Sequence, residues 1–235
     1  MSKYKNRGHT TVIDEGNRSQ IEEDIHNQVE ASSPFVYLPE CSGIAFLDVW
    51  NHIQEDIFPR RFKLIIEEAF DNFFVSCDVE PISDYRAFTS RLKKLDKFTE
   101  ISATVHPPNP LYGRLWESLN GYLDERNASE IMVKEQTSKP EGLKTEIISL
   151  MDKMIDSCEY EPDKTPAIGD AAILMAADGY GSGKVHGVEN GEEIIIKTGD
   201  TQKSFQYLKE PKPEELAIKA KKLFDKITKE RDMRH

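Results

Sequence analysis

The segment that most constrains the fold is residues 98–110, FTEISATVHPPNP, in which a strand-like run ends at three prolines. Aromatic and β-branched residues favour a strand in its first part. Pro107 and Pro108 cannot donate hydrogen bonds to a neighbouring strand, and each disfavours a helix at the residue before it. Asn109 before Pro110 is typical of a turn that leads into a helix. The segment therefore predicts a strand, a sharp corner and a helix.

Hydrophobic periodicity on both sides of this corner predicts an α+β fold. Helical spacing of apolar residues predicts central helices at residues 59–70, 83–95, 111–123 and 143–154. Aromatic and β-branched runs predict a hairpin and further strands, at residues 34–48, 73–82, 97–105 and 128–136. Short runs between glycine-bearing turns predict a C-terminal β-meander, at residues 171–177, 184–188 and 193–198. We therefore expect a mixed or antiparallel sheet covered by helices.

The two ends of the chain differ from this centre and divide it into three predicted parts. Residues 1–33 predict a flexible arm and then an amphipathic helix, because apolar residues recur every four positions in SQIEEDIHNQVEA. Residues 34–210 are the predicted α+β core. Residues 211–235 predict a basic amphipathic terminal helix, which two prolines introduce.

The charge of the chain is acidic but unevenly distributed. Its formal net charge is −11, which opposes long-range attraction to nucleic acid or to an anionic membrane surface. Residues 203–235 alone carry a net charge of +4. A local basic surface is therefore expected near the C-terminus, with an ordinary solvated helix face as the alternative.

Cysteine content and hydropathy indicate a reducing, aqueous location. The three cysteines are odd in number and none forms a CxxC pair, which argues against a disulfide framework or a zinc ribbon. The first residues contain no apolar stretch of signal-peptide type, and no window reaches the ~18 apolar residues that a membrane span needs. We therefore expect a cytoplasmic protein without membrane insertion.

No motif in the sequence assembles a catalytic site. The segment DGYGSGKV at residues 178–185 lacks both the first glycine and the final hydroxyl of a phosphate-binding loop. The six histidines are scattered singly, without HxH or HExxH spacing. We therefore predict no catalytic residue, metal ligand or cofactor. The enzymatic alternative is a metal-dependent nuclease or other hydrolase assembled in three dimensions from Asp78, Glu80 and Lys93.

Two groups of basic residues are the predicted contact surfaces for nucleic acid or a protein partner. The first lies near the end of the predicted helix 83–95 and comprises Arg91, Lys93, Lys94 and Lys97. The second lies in the terminal helix and comprises Lys219, Lys221, Lys222, Lys226 and Lys229. Polyanion binding needs such cations on one surface. The terminal helix also has an apolar stripe, so docking on its own domain or on a partner helix is an equal alternative.

The corner after the central strand predicts the edge of a pocket. His106 and Asn109 flank the two consecutive prolines, where the strand is expected to end. Ligand-facing residues are often carried on loops at such places. Both residues are therefore candidates for a pocket edge, and backbone geometry is the alternative reason for their presence.

Residues 77–143 contain an ordered series of features: a strand ending in a proline, CDVEPI, a basic-ended helix, RAFTSRLKKL, the strand FTEISATV, and a strand leading to a Ser and Gly turn, EIMVKEQTSKPEGL. This order resembles the C-terminal part of Rex A-type phage-exclusion proteins and of related bacterial anti-phage proteins, including the Kiwa B component. The resemblance implies recognition without catalysis, through association with DNA and with a second protein that delivers the effect. The acidic net charge of this chain is unfavourable for general DNA binding, so it gives more weight to a protein partner.

The leading hypothesis is a cytoplasmic, non-enzymatic sensor or adaptor in anti-phage defence that binds nucleic acid, a protein effector or both. A protein partner is expected, and the sequence leaves an oligomer open. The alternatives are the metal-dependent nuclease and a structural subunit of a larger complex.

Overall fold

The structure is a computed structural model that describes residues 1–14, 19–71, 77–108, 111–157 and 160–234. Its helices are α1 (Ile57–Ala69), α2 (Tyr85–Leu92), α3 (Glu117–Arg126), α4 (Ile147–Asp156), α5 (Ile168–Ala177) and α6 (Pro213–Glu230). Its strands are β1 (Ser2–Asp14), β2 (Ser19–Ser32), β3 (Phe35–Leu38), β4 (Gly43–Phe46), β5 (Lys97–Val105), β6 (Tyr112–Gly113), β7 (Ile131–Gln136), β8 (Gly181–Glu189), β9 (Glu192–Lys197) and β10 (Met233–Arg234). Antiparallel pairing, helices and a C-terminal helix confirm the predicted α+β class.

The chain folds into two compact units. The first contains Met1–Tyr37, Ile44–Asp78 and Glu210–Ala220, and the second contains Leu38–Gly43, Val79–Lys209 and Lys221–His235. The tip of the β3–β4 hairpin and the second half of α6 therefore belong to the second unit. These bounds differ from the three predicted parts, because the units divide the hairpin and the terminal helix between them.

Two antiparallel hairpins and α1 make up most of the first unit. β1 pairs with β2 along almost its whole length, and β3 pairs with β4. The core is small and aromatic: Phe58 of α1 is fully buried and stacks on Phe46 of β4, with ring centroids 4.0 Å apart. The hairpin predicted at 34–48 and the helix predicted at 59–70 are both confirmed.

The amphipathic helix predicted within residues 19–31 is wrong, because this segment forms β2. Ile21, Ile25 and Val29 are four positions apart, which is close to one helical turn but is also a multiple of the two-residue period of a strand. The partner strand decides between these readings. Val29 lies opposite Tyr4 in the β1–β2 register, and the two residues are 61% and 62% exposed. Pairing with β1 therefore turns an apparently helical pattern into a strand.

A four-stranded antiparallel sheet, in the order β7-β5-β8-β9, is the centre of the second unit. One face of this sheet carries the core, where Ile101, Val133, Val185 and Ile196 are buried. α5 packs on this face against β5 and β8, and residues of α2, α3 and α4 extend the same core. The helices therefore cover the inner face, and the alternate residues of each strand lie on the outer face.

Two predicted strands have a different structure in the residues that are described. Residues 171–177, predicted as the first strand of the meander, belong to α5, in which every residue after Ile168 is buried. A short apolar run that is buried on all sides has no periodicity to separate helix from strand, and its many alanines favour a helix. The other two strands of the meander are confirmed as β8 and β9. Of the strand predicted at 73–82, residues 77–82 are irregular, and the remainder lies outside the described residues.

The corner after β5 is confirmed as the end of a strand, since β5 ends at Val105. The helix predicted from residue 111 begins only at Glu117, because β6 and a short 3-10 turn come first. β6 pairs with β10, so that Gly113 lies opposite Met233. The segment after the corner is therefore joined to the C-terminal end of the chain.

A buried ion pair fixes the end of α6 within the second unit. Arg231 and Asp178 are each only 5% exposed, and Arg231 Nη1 donates to Asp178 Oδ1 at 2.6 Å. The same carboxylate accepts from the Tyr85 hydroxyl at 2.6 Å and from Trp116 Nε1 at 2.8 Å. Burial raises the pKa of Tyr85 well above its usual value, so its hydroxyl stays a donor. Removing one partner of such a buried pair costs roughly 3–5 kcal/mol, so we assign these residues to the fold.

Candidate nucleic-acid interface

The first predicted basic group lies around the end of α2, where carboxylates hold two of its members. Arg91 Nη1 lies 3.2 Å from Asp200 Oδ2, and Lys93 Nζ lies 2.8 Å from Asp152 Oδ2. These carboxylates reduce the attraction of the group for a polyanion. Of the other two members, Lys94 lies between α2 and β5, and Lys97 is the first residue of β5.

The second predicted basic group lies along α6, which carries five lysines and four carboxylates and therefore a net charge of +1. Lys221 Nζ lies 3.3 Å from Glu40 Oε1 and 3.2 Å from Asp225 Oδ1. Lys226 Nζ lies 3.3 Å from Glu230 Oε1. The other members of the group on this helix are Lys219, Lys222 and Lys229. Binding through this group stays a prediction, with little net charge in its favour.

The residues suggested for a nuclease have other partners. Asp78 Oδ1 lies 2.6 Å from Lys63 Nζ, and Lys93 holds Asp152 as described above. Glu80 is likewise engaged in an interaction. Across the described residues, no three His, Cys, Asp or Glu side chains are placed to hold a metal ion together. The geometry therefore gives the nuclease hypothesis no support.

His106 is bound to backbone at the end of β5. Its amide donates to the carbonyl of Tyr180 at 3.0 Å, and its Nδ1 lies 3.3 Å from the carbonyl oxygen of Ser129. It lines neither of the two cavities described below. These contacts fit the alternative that backbone geometry explains His106, and its place at a pocket edge stays a prediction. Asn109, the other candidate for a pocket edge, lies outside the described residues.

The outer face of the four-stranded sheet carries cations from three strands. Lys134 of β7, Lys184 of β8 and Lys197 of β9 are all exposed. The register aligns them, because Ser102 of β5 lies opposite both Lys134 and Lys184, and Lys184 lies opposite Lys197. Neighbouring strands are ~4.8 Å apart, so the four residues span ~14 Å. We name this set the lysine row: Lys134, Ser102, Lys184 and Lys197.

Short hydroxyl side chains occupy the middle of the outer face. Ser102 lies inside the lysine row but is only 9% exposed, whereas the half-buried Thr104 and the exposed Ser182 lie opposite each other two positions away along their strands. Such short side chains let a ligand approach the strands closely. Hydroxyl and lysine donors together are the groups that bind phosphate oxygens in nucleic-acid complexes.

The carboxylate of Glu100 lies beside the lysine row, close to two of its lysines and to the imidazole of His186. Lys134 Nζ lies 2.9 Å from Glu100 Oε2, while Lys184 Nζ and His186 Nε2 lie 3.9 Å and 3.6 Å from Oε1. The hydrogen bond from Lys134 lowers the pKa of Glu100 and outweighs the opposing effect of desolvation. Glu100 therefore stays ionised and neutralises one of the three lysines.

A pocket of about 530 Å³ opens beside Glu100. Gln136, Glu100, His186 and Ile195 lie in one cross-strand row, two positions from the lysine row. All four line the pocket, and Glu193 of β9 lines it as well. The outer face therefore offers a line of cations next to a polar pocket.

A second cavity, of about 520 Å³, lies between the tip of the β3–β4 hairpin and the second half of α6. Cys41, Leu111 and Phe224 line it, together with charges of both signs. Burial raises the pKa of the Cys41 thiol, so it is protonated at neutral pH. A protonated thiol is a poor nucleophile, and this cavity contributes no reactive group through Cys41.

The sequence did not reveal the lysine row because its members come from separate parts of the chain. Each lysine is next to a buried apolar residue of a short strand, in MVKEQ, GKVHG and IIIKT. This local pattern indicates only that each lysine faces away from the core. The register between β5, β7, β8 and β9 brings them into one line, and no local pattern contains that register.

No helix within the described ranges combines the length and the apolar character that a bilayer crossing requires.

Comparisons with other proteins give a family but no activity. Neither the curated proteins nor the solved structures yield a match to this chain. Residues 2–227 match a family model described as a domain of unknown function, DUF4747. Because this match covers nearly the whole chain, the protein belongs to the DUF4747 family.

Proposed function

We propose that this protein is a non-enzymatic binding component that holds a single strand of nucleic acid across the outer face of its four-stranded sheet. The observation that carries the proposal is the lysine row, in which lysines from three strands line up on the face that also carries the exposed hydroxyl of Ser182. Lysines neutralise the phosphates of a strand, and hydroxyl groups donate to phosphate oxygens. The phosphate backbone of a nucleic acid therefore complements this surface in charge.

A single strand suits this face better than a duplex does. Met132 and Ile195, which are 72% and 49% exposed, lie on the same face on either side of the lysine row. Unstacked bases of a single strand can contact such apolar side chains, whereas the bases of a duplex stay stacked inside it. Neither residue is aromatic, so we expect moderate affinity and a strong dependence on salt.

The acidic charge of the chain limits this attraction to short range. A net charge of −11 repels a polyanion at a distance. Binding therefore depends on phosphates that lie within about one Debye length, ~8–10 Å, of the lysine row. We expect such a recognition component to act with a protein effector. The resemblance to phage-exclusion proteins suggests anti-phage defence as its setting, and this stays a prediction.

The direct test replaces the three lysines of the lysine row in one variant: Lys134→Glu, Lys184→Glu and Lys197→Glu. All three side chains are exposed, so we expect the fold to be retained, which circular dichroism checks. Affinity for a fluorescently labelled dC strand of 15 nucleotides is measured by anisotropy at low salt. We expect it to fall by ~30-fold or more, because the lysines that contact phosphates become carboxylates that repel them.

A charge-matched control changes three exposed lysines outside the four strands: Lys144→Glu, Lys164→Glu and Lys209→Glu. We expect this variant to stay within ~3-fold of the wild type, because none of its new charges lies on a strand that carries the lysine row. A further variant tests the competing helix surface on α6: Lys219→Glu, Lys221→Glu, Lys222→Glu and Lys226→Glu.

Three outcomes would overturn the proposal. The lysine-row variant could bind the dC strand as tightly as the wild type, or only the α6 variant could lose affinity. The wild-type protein could also fail to bind the strand while binding an acidic peptide such as polyglutamate, which would assign the lysine row to a protein partner.

A further inference from the structure

We infer that the pocket beside Glu100 receives a base of the bound strand and selects bases that carry an exocyclic amino group. This inference rests on the proposed function, because the lysine row must hold the phosphates. Each residue of the pocket row lies two positions from a residue of the lysine row, as Gln136 does from Lys134 and His186 from Lys184. Two positions correspond to ~7 Å along a strand. A phosphate on the lysine row therefore leaves its base within reach of the pocket.

The walls of the pocket stand on paired strands. The amide of Thr137 donates to the carbonyl of Thr99 at 2.9 Å, which continues the pairing of β7 with β5 beyond Gln136. His186 lies opposite Ile195 in the pairing of β8 with β9. Side chains on paired strands are positioned more precisely than side chains on loops, so the pocket is formed before a ligand arrives.

The lining of the pocket suits a base better than a phosphate. Ile195 is 49% exposed and offers an apolar surface to the flat side of a ring. The amide of Gln136 can both donate and accept hydrogen bonds, as the edge of a base requires. Two carboxylates, those of Glu100 and Glu193, also line the pocket and repel a phosphate.

The carboxylate of Glu193 sets the preference among bases. Glu100 is held by Lys134, whereas Glu193 is exposed at the edge of the pocket. A carboxylate accepts a hydrogen bond from the amino group of cytosine. Thymine and uracil carry a carbonyl oxygen at the same position, which would place two acceptors against each other. We therefore expect cytosine to be preferred over thymine.

The test compares three labelled strands of 15 nucleotides on the full-length protein: dC, dT and an abasic strand with the same phosphates. We expect the wild type to bind dC about fivefold more tightly than dT, as one hydrogen bond implies. We expect the abasic strand to bind most weakly, because it fills no pocket. The lysine-row variant should lose affinity for all three strands.

Variants of the pocket separate base contacts from phosphate contacts. Glu193→Gln should abolish the preference for dC over dT, while affinity for the abasic strand stays the same or rises because a negative charge is removed. Ile195→Ala should lower the affinities for dC and dT together and leave the abasic strand unchanged. Both side chains are exposed, so neither change should disturb the fold.

The outcomes distinguish this inference from the function on which it rests. Equal affinity of the wild type for the dC and abasic strands would overturn the inference and leave the proposed function standing. A preference for dC that survives Glu193→Gln would also overturn it. Absence of binding to every strand would overturn the proposed function itself.

Discussion

Glu100 decides how much of the lysine row is available to a ligand. Its carboxylate lies 2.9 Å from Lys134 Nζ and 3.9 Å from Lys184 Nζ, so it is the internal competitor of a bound phosphate. The hydrogen bond from Lys134 lowers the pKa of Glu100, which keeps this competitor charged at neutral pH. A ligand can therefore contact Lys134 only if it displaces Glu100 from this lysine or shares the lysine with Glu100.

Replacing Glu100 by glutamine should strengthen binding, in contrast to the lysine replacements. We expect Glu100→Gln to raise the affinity for the dC strand by roughly 3- to 10-fold, because one more lysine becomes available to phosphate. Anisotropy titrations at constant salt measure the change. Glu125→Gln, at an exposed position of α3, makes the same change in charge away from the sheet and should have no effect. Unchanged or weaker binding by Glu100→Gln would contradict the assigned role of the lysine row.

At the scale of the elements, local patterns were sufficient where the sequence of a segment decides its structure. β5 and α6 lie where they were predicted, because prolines end one and open the other. The predictions for the segments that form β2 and α5 are wrong, because the structure of these segments depends on other parts of the chain. β2 depends on pairing with β1, and α5 depends on burial on all sides.

The candidate interface was less predictable than the fold for the same reason. The sequence directed attention to the lysines of α6, which are close together in the chain but share the helix with four carboxylates. The lysine row depends on the pairing of Ser102 with Lys184, which are far apart in the chain. Only the tertiary structure contains this proximity.

The start of α2 offers a test of the fold at the scale of one element. Asp84 Oδ1 accepts from the amide of Ala87 at 3.1 Å, and its Oδ2 lies 2.7 Å from Lys203 Nζ. We expect Asp84→Ala to lower the free energy of unfolding by about 1–2 kcal/mol, as loss of a helix cap does. Urea denaturation measures the change. Asp84→Asn keeps a cap acceptor and should cost less, so equal losses in the two variants would contradict the role of the cap.

The same residue gives a prediction about pH. Burial would raise the pKa of Asp84, but hydrogen bonds from Lys203 and the Ala87 amide outweigh burial and lower it. A lowered pKa in the folded state means that the stabilisation is complete above the usual aspartate value, ~3.9, and is lost as the pH falls below it. The stability difference between wild type and Asp84→Ala should be constant from pH 8 to pH 5 and should shrink in more acidic solution. A difference that kept its full size at pH 2 would contradict this account.

At the scale of the whole molecule, the lysine row is a small cationic surface on an acidic protein. With a net charge of −11, the protein has no general attraction for a polyanion, so any binding must come from a defined set of contacts. Such binding should be local, strongly salt-dependent and lost when the lysine row is changed. A basic protein, by contrast, would retain binding after the loss of any one patch.

The most direct measurement of this claim is the slope of log affinity against log salt concentration for the dC strand. Each phosphate contact on a single strand contributes ~−0.7 to this slope, so the two lysines that Glu100 leaves available predict a slope of about −1.4 for the wild type. The variant with Lys134→Glu, Lys184→Glu and Lys197→Glu should show weak binding with a slope near zero. Equal slopes for the two proteins would contradict the assignment of strand binding to the outer face of the sheet.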